Sequence, residues 1–349
     1  MLINAYYYAP HNHTLLSEHL DADLERMAGL GTHAVSLCVQ ESQFTNWHQQ
    51  RLRNVVNRIH AHGMQAHAVP NRWAGLTAGW LDGFGAFTVE NVDSLVEDES
   101  GRLCAQNEMV SCIHKPKVAQ HMKTSLSRLF ELFDFDGLIW DEPHSEACYC
   151  AYCRAINPHP TVAWRHDRLA AFLDDLSAFA KSLRSGIVVS LFIQPYTRDL
   201  LKPLLSTQHI DFLGSDGHIR ATDYRMHRMK GTIFDAHRDC YPVLTAAGKK
   251  TLFLPEGHRH RDEDLAHYVT MVDRAFALPM DQLLYYYSAH EMSPDNERIF
   301  NQATWAAVER VSRAHAGCRP ENQVAARAVP PGIKGGTKGV AKESGVQIP

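Results

Sequence analysis

Eight short runs rich in Val, Ile, Leu, Phe and Tyr recur along the chain, with longer segments of helical period between them. They are INAYYYA (3–9), HAVSLCV (33–39), QAHAVP (65–70), GLIWDE (137–142), IVVSLFIQ (187–194), IDFLGSD (210–216), TLFLPE (251–256) and QLLYYYSA (282–289). Near-continuous apolar character is what strands buried on both faces require, as in a parallel sheet covered by helices. The segments 17–30, 47–63, 117–133 and 263–278 carry apolar residues at three- and four-residue spacing and predict the covering helices. Gly31 and Gly63 follow two of them as C-terminal stops. Eight strands alternating with helices predict a (β/α)8 TIM barrel over residues 1–317. An open doubly wound sheet is the competing α/β arrangement, but no glycine-rich phosphate turn follows the first run.

The segment 75–116 is too long for an ordinary βα connection and predicts an elaborated lid over the barrel mouth, carrying Trp80, Phe84, Phe87 and Cys104. From residue 318 the composition turns to Ala, Gly, Pro, Val and Lys, which predicts a disordered tail over 318–349. With 35 basic against 39 acidic residues, charge gives no reason to expect nucleic acid or an anionic membrane. The expected partner is a small neutral molecule, and the oligomeric state, a homo-oligomer included, stays open. The first residues show neither the basic nor the apolar region of a secretion signal, and no run approaches 18 apolar residues, so a soluble cytoplasmic protein is expected.

In such a barrel the chemistry sits at the C-terminal ends of the strands. Here those ends are polar: Tyr8, His11 and His13; Gln40 and Glu41; Asn71, Arg72 and Trp73; Trp140, Asp141, Glu142 and His144; Gln194; Asp216 and His218; Glu256 and His258; Tyr287, His290 and Glu291. Carboxylates, aromatics and hydrogen-bonding groups without a basic cluster suit a sugar ring, whose apolar face stacks and whose hydroxyls need donors and acceptors. The expected substrate contacts are Tyr8, His11, His13, Glu41, Asn71, Arg72, Trp73, Trp140, Asp141, Gln194, Asp216, His218 and Tyr287. Glu142 after the fourth run and Glu256 after the seventh could face each other as the carboxyl pair of a glycoside hydrolase, one the acid, the other nucleophile or base. Asp141, beside Glu142, is the alternative acid. A second enzyme class would use His11 and His13 as H-x-H ligands of a catalytic metal, in the manner of amidohydrolases. A third reading is a carbohydrate-binding barrel without catalysis.

Cys148, Cys150 and Cys153 stand at C-x-C-x-x-C spacing after the fourth run, close enough to share one tetrahedral ion. Cys112, before the helix that leads into that run, is a candidate fourth ligand, and Cys104 is the alternative.

The segment WDEPHSEACYCAYCRA, preceded by SCIHKP, resembles glycoside hydrolase family 42, zinc-containing β-galactosidases of clan A. The resemblance covers residues 1–316 as architecture and is most specific over 112–153. It implies that Glu142 is the acid/base and Glu256, in LFLPEGH, the nucleophile of a retaining mechanism on a small glycoside or oligosaccharide. It also implies a structural zinc held by Cys112, Cys148, Cys150 and Cys153. Asp141 stands where that family carries Asn, which marks a divergent relative.

Overall fold

The computed structural model describes residues 1–8, 17–44, 46–78, 85–104, 109–144, 146–193, 198–219, 232–256, 265–288 and 295–315. The expected tail, 318–349, lies outside them. Eight parallel strands close into a barrel in chain order: β1 (Leu2–Tyr8), β2 (Ala34–Val39), β3 (Gln65–Pro70), β4 (Gly137–Asp141), β5 (Val188–Ile193), β6 (Phe212–His218), β7 (Lys250–Glu256) and β8 (Gln282–Ser288). Ring closure is made by β1 against β8, from Leu2 opposite Gln282 to Tyr8 opposite Ser288. Each apolar run has become a strand because both of its faces are covered.

Ten helices surround the barrel among the described residues: α1 (Ser17–Gly29), α2 (Asn46–Ala61), α3 (Ala86–Glu90), α4 (Pro116–Leu132), α5 (Ala151–Ile156), α6 (Val162–Leu183), α7 (Arg198–Leu204), α8 (Ile233–Ala246), α9 (Leu265–Phe276) and α10 (Asp295–His315). Local chemistry sets several boundaries. Gly31 and Gly63 take φ of 80° and 75° just past α1 and α2, a conformation that costs any side chain with a Cβ. Pro116 opens α4, where a missing N–H costs nothing. The Thr161 hydroxyl accepts from Trp164 N at 3.2 Å to cap α6.

Strand alternation sorts the buried residues into two compartments. Ile3, Ala5, Leu138, Trp140, Tyr285 and Tyr287 pack outward against the helices. Tyr6, Val69, Ile139, Phe192, Phe212, Leu252, Leu254 and Leu284 fill the lumen, with Cys38 and Tyr286 against them. One step toward the N-terminal end the lumen is polar. Ser36 Oγ donates to Asn4 Oδ1 at 2.7 Å, Asn4 Nδ2 meets His67 Nδ1 at 3.2 Å, and Ser190 Oγ donates to Gln282 Oε1 at 3.0 Å. Among the described residues the interior is therefore a layered core rather than a pore.

The segment expected as a lid is, where described, a buttress on one side of that mouth. Ala78 N donates to Asp141 O at 2.9 Å, His144 N to Leu76 O at 3.0 Å, and Ser111 N to Ala74 O at 3.1 Å. Phe87 stacks on His121 of α4 at 4.0 Å between centroids. The buried Lys115 ammonium donates to Asp93 O, Leu95 O and Glu97 Oε1 at 2.7–2.9 Å and gathers the segment into a fold. Trp80 and Phe84 lie outside the described residues.

Candidate active site and cysteine centre

The mouth continues the inward face of the strands. Asn71 follows Val69 by two positions, Asp141 follows Ile139 by two, and Asp216 and His218 continue the face of Phe212. All four are buried, Asn71 at 2% exposure and Asp141 at 6%. Asn71 Oδ1 has no hydrogen-bond partner among the described residues, so a buried acceptor is available at the mouth. Asp141 Oδ2 accepts from Tyr6 OH at 2.6 Å, and Cys38 Sγ lies 3.4 Å from the same phenol. Burial first and the Asp141 charge second hold the Tyr6 phenol well above its ordinary pKa, so it stays a donor. Burial likewise pushes the Cys38 thiol up to about 12.

Glu142 follows directly, half-buried, with φ of 40°. For a residue with a Cβ this is the left-handed region, and such outliers concentrate where function demands them. Three backbone bonds hold the turn: Glu142 N to Phe192 O at 3.0 Å, and those of Ala78 and His144 already described. Arg72, at the end of β3, is also left-handed at φ 59° and buried. Glu256 ends β7, its Cα paired with that of His218. The side chains of Tyr8 and Glu256 lie outside the described residues, as do His11, His13 and Gln194.

Four expected sugar contacts prove to be committed to packing. Trp140 points outward, fully buried, with Nε1 donating to Ser177 Oγ of α6 at 3.0 Å. Tyr287 also points outward. Its hydroxyl donates to Asp23 Oδ1 of α1 at 3.0 Å and its ring stacks on Trp305. Trp73 is sealed under the β3 loop, donating to Val39 O at 2.8 Å against the edge of Phe44. The Glu41 carboxylate accepts from Phe87 N at 2.8 Å and Ala74 N at 3.2 Å and meets His121 Nε2 at 2.7 Å, a clasp for the buttress rather than a lining group. The physical reason is common to the first two: in a strand apolar throughout, parity decides which face a residue takes. Tyr6 escapes a reading of the sequence for the same reason, since nothing in LINAYYY marks which of its residues face the lumen.

The four predicted cysteines converge. The Sγ atoms of Cys112, Cys148, Cys150 and Cys153 all lie within 4.8 Å of one another, and all four residues are buried. Cys112 Sγ is 3.4 Å from Cys153 Sγ and 3.9 Å from Cys150 Sγ. A tetrahedral ion with metal–sulfur bonds of about 2.3 Å needs sulfurs about 3.8 Å apart, so the set fits such a metal. Glu97 N donates to Cys148 Sγ at 3.4 Å, and His114 Nδ1 lies 3.3 Å from Cys153 Sγ with its ring stacked on Trp164. Thiol hydrogen bonds within the cluster pull Cys148 below its ordinary pKa and push Cys112 and Cys153 above theirs, as expected of thiols packed closely enough to share one charge. Cys104 packs beside the group without joining it.

No known protein family and no curated protein matches the sequence. Solved structures resemble the fold. The β-galactosidase of the psychrophilic Marinomonas ef1 superposes with a TM-score of 0.62 at 11% identity, over 91% of this chain and 60% of that one. That of Rahnella sp. R3 gives 0.61 at 12%, over 90% and 56%. The endo-1,4-β-mannanase of Rhizomucor miehei gives 0.55 at 12%, over 88% and 94%. The chain thus spans about 60% of the length of the two galactosidases, and the likeness it shares with all three is that of the (β/α)8 barrel.

Proposed function

We propose that this barrel is a glycoside hydrolase of the family 42 type, acting on a small glycoside or oligosaccharide by a retaining mechanism. The observation that carries the reading is Glu142: a carboxyl at the end of β4, in a left-handed turn, directly before the four-cysteine centre. The resemblance of residues 112–153 to family 42 and the fold shared with named galactosidases and a mannanase support it.

In this reading Glu142 gives its proton to the glycosidic oxygen while the Glu256 carboxylate attacks the anomeric carbon. The C–O bond breaks, the aglycone leaves with the proton, and the sugar stays as an ester of Glu256. Glu142, now a carboxylate, takes a proton from water, whose oxygen displaces Glu256 and frees the sugar. Asn71, Arg72, Asp141, Asp216 and His218 supply acceptors and donors to the hydroxyls. The cysteines would hold a structural zinc, which fixes the loop after β4 and takes no part in bond making. Four reduced thiols suit a reducing compartment, in line with a cytoplasmic location. Among the described residues no helix is long and apolar enough to cross a membrane.

The test is a panel of aryl glycosides with purified protein and its Glu142→Gln and Glu256→Gln variants. Both variants are expected to lose at least about 100-fold in kcat while remaining folded. Turnover that survives both substitutions, or that disappears with His11→Ala and His13→Ala and returns with added divalent metal, overturns the assignment.

A further inference from the structure

We infer that Tyr6 is a positioning residue for the candidate acid, a strut across the lumen that holds Asp141 and, through the next peptide, Glu142. The inference deepens the glycoside hydrolase reading and rests on it for its kinetic consequence. Tyr6 rises from β1 and Asp141 ends β4, 135 residues later, yet the phenol and carboxylate meet at 2.6 Å with both residues almost wholly buried. No helix or loop mediates this contact. Below it the Tyr6 ring packs against Tyr286 at 5.3 Å and the hydroxyl also faces Cys38 Sγ, so the phenol has little freedom to swing away.

Backbone bonds fix the Asp141–Glu142 segment from above and from the side, through Ala78 N to Asp141 O and Glu142 N to Phe192 O. Neither bond restrains rotation of the Asp141 side chain. Tyr6 supplies that restraint from beneath. A residue at φ 40° persists only when its surroundings over-determine it, and the Tyr6 bond is one side-chain contribution to that constraint. The pairing also matches the one departure from family 42 at this position. An Asn amide brings its own donors, whereas Asp offers acceptors only, and a buried phenol from β1 is a suitable donor for it.

The experiment combines Tyr6→Phe, Asp141→Leu and the double variant, read by kcat and KM on an aryl glycoside and by the crystal structure of each single variant. Tyr6→Phe should lower kcat about tenfold or more with KM changed less than about threefold, because the contact orients the acid rather than binds sugar. The double variant should lose less than the product of the two single losses, as for residues that share one bond. In the Tyr6→Phe structure the Asp141 carboxylate should rotate and Glu142 should leave its left-handed φ. Unchanged Asp141 and Glu142 geometry, or a kcat within twofold of wild type, overturns the inference. Displaced geometry in a protein that cleaves no glycoside would instead sustain the strut and sink the carbohydrate reading. Asp141→Leu, which has no acceptor, tests the same bond from the other side should Tyr6→Phe fold poorly.

Discussion

The Sγ atoms of Cys112 and Cys153 lie 3.4 Å apart although 41 positions separate the two residues. Between them run the whole of α4 and β4, so a shared metal would tie the buttress before α4 to the loop after β4 and brace the turn that carries Glu142. The protein is expected to bind one zinc ion per chain, and cobalt in its place should give the thiolate charge-transfer absorption of a tetrahedral sulfur site. Cys112→Ser should abolish that absorption and cost more than about 3 kcal/mol of stability in urea unfolding, since metal binding energy is folding energy. A metal-free protein of unchanged stability, or full cobalt absorption in Cys112→Ser, would refute the centre.

A second long-range clasp fastens α1 to the barrel. The buried Asp23 carboxylate accepts from Tyr7 OH at 2.7 Å and from Tyr287 OH at 3.0 Å, the outer residues of adjacent strands β1 and β8. Asp23→Ala strands two buried phenols and is expected to cost about 2–4 kcal/mol, against about 1 kcal/mol for Tyr287→Phe. Burial first and the Asp23 charge second hold the Tyr287 pKa far above the ordinary value of 10.0. Because the folded-state pKa is raised, the stability it confers is complete below pH ~10 and is lost as pH rises beyond it, where only the unfolded chain ionises. Thermal midpoints from pH 9 to 11 should therefore fall, and fall less steeply in Tyr287→Phe. Equal slopes in the two proteins would remove Tyr287 from the account.

These clasps show where sequence stops being legible. All eight strands were readable because a parallel strand covered on both faces must be apolar along its length, and LIWD or LLYYY meets that demand visibly. The same uniformity hides parity. Trp140 and Asp141 are neighbours, yet one faces α6 and the other the lumen, and no feature of the run says which. The cysteine centre was legible because its spacing is chemically improbable by chance. Asp23 and Glu41 were not, since a buried carboxylate is recognised by partners that here sit 264 and 46 positions away, respectively.

His67 makes an acid-side prediction. Fully buried in the polar layer of the lumen, it is pushed down to about 4 by burial, well below its ordinary value. Its Nδ1 meets Asn4 Nδ2 at 3.2 Å and its Nε2 meets Gln65 Oε1 at 3.2 Å, a pairing that suits the neutral ring protonated on Nε2. With the folded-state pKa depressed, its contribution is present above pH ~6.5 and is lost as pH falls toward about 4. Over that window the loss amounts to about 3 kcal/mol. His67→Gln should flatten the decline of the thermal midpoint between pH 6.5 and 4. A decline as steep as that of the wild type would assign the acid sensitivity to other groups.

Glu142 allows stability and activity to be separated at one position. Its φ of 40° is reached without penalty by glycine but costs a residue with a Cβ about 1–3 kcal/mol. A residue retained for packing alone would be under no demand to carry that strain, whereas an acid that must be aimed at a bound sugar would. Glu142→Gly is therefore expected to raise stability in urea by about 1 kcal/mol, less than the full strain because glycine also widens the unfolded ensemble. It should at the same time abolish turnover of the aryl glycoside. Glu142→Ala is the control, since it removes the carboxyl and keeps the Cβ, and should lose turnover without the gain in stability. If alanine stabilises as much as glycine, the cost lies in the carboxylate's surroundings and not in the backbone. If glycine destabilises, the turn is held by the Glu142 side chain itself, and the account of a strained, externally held acid fails.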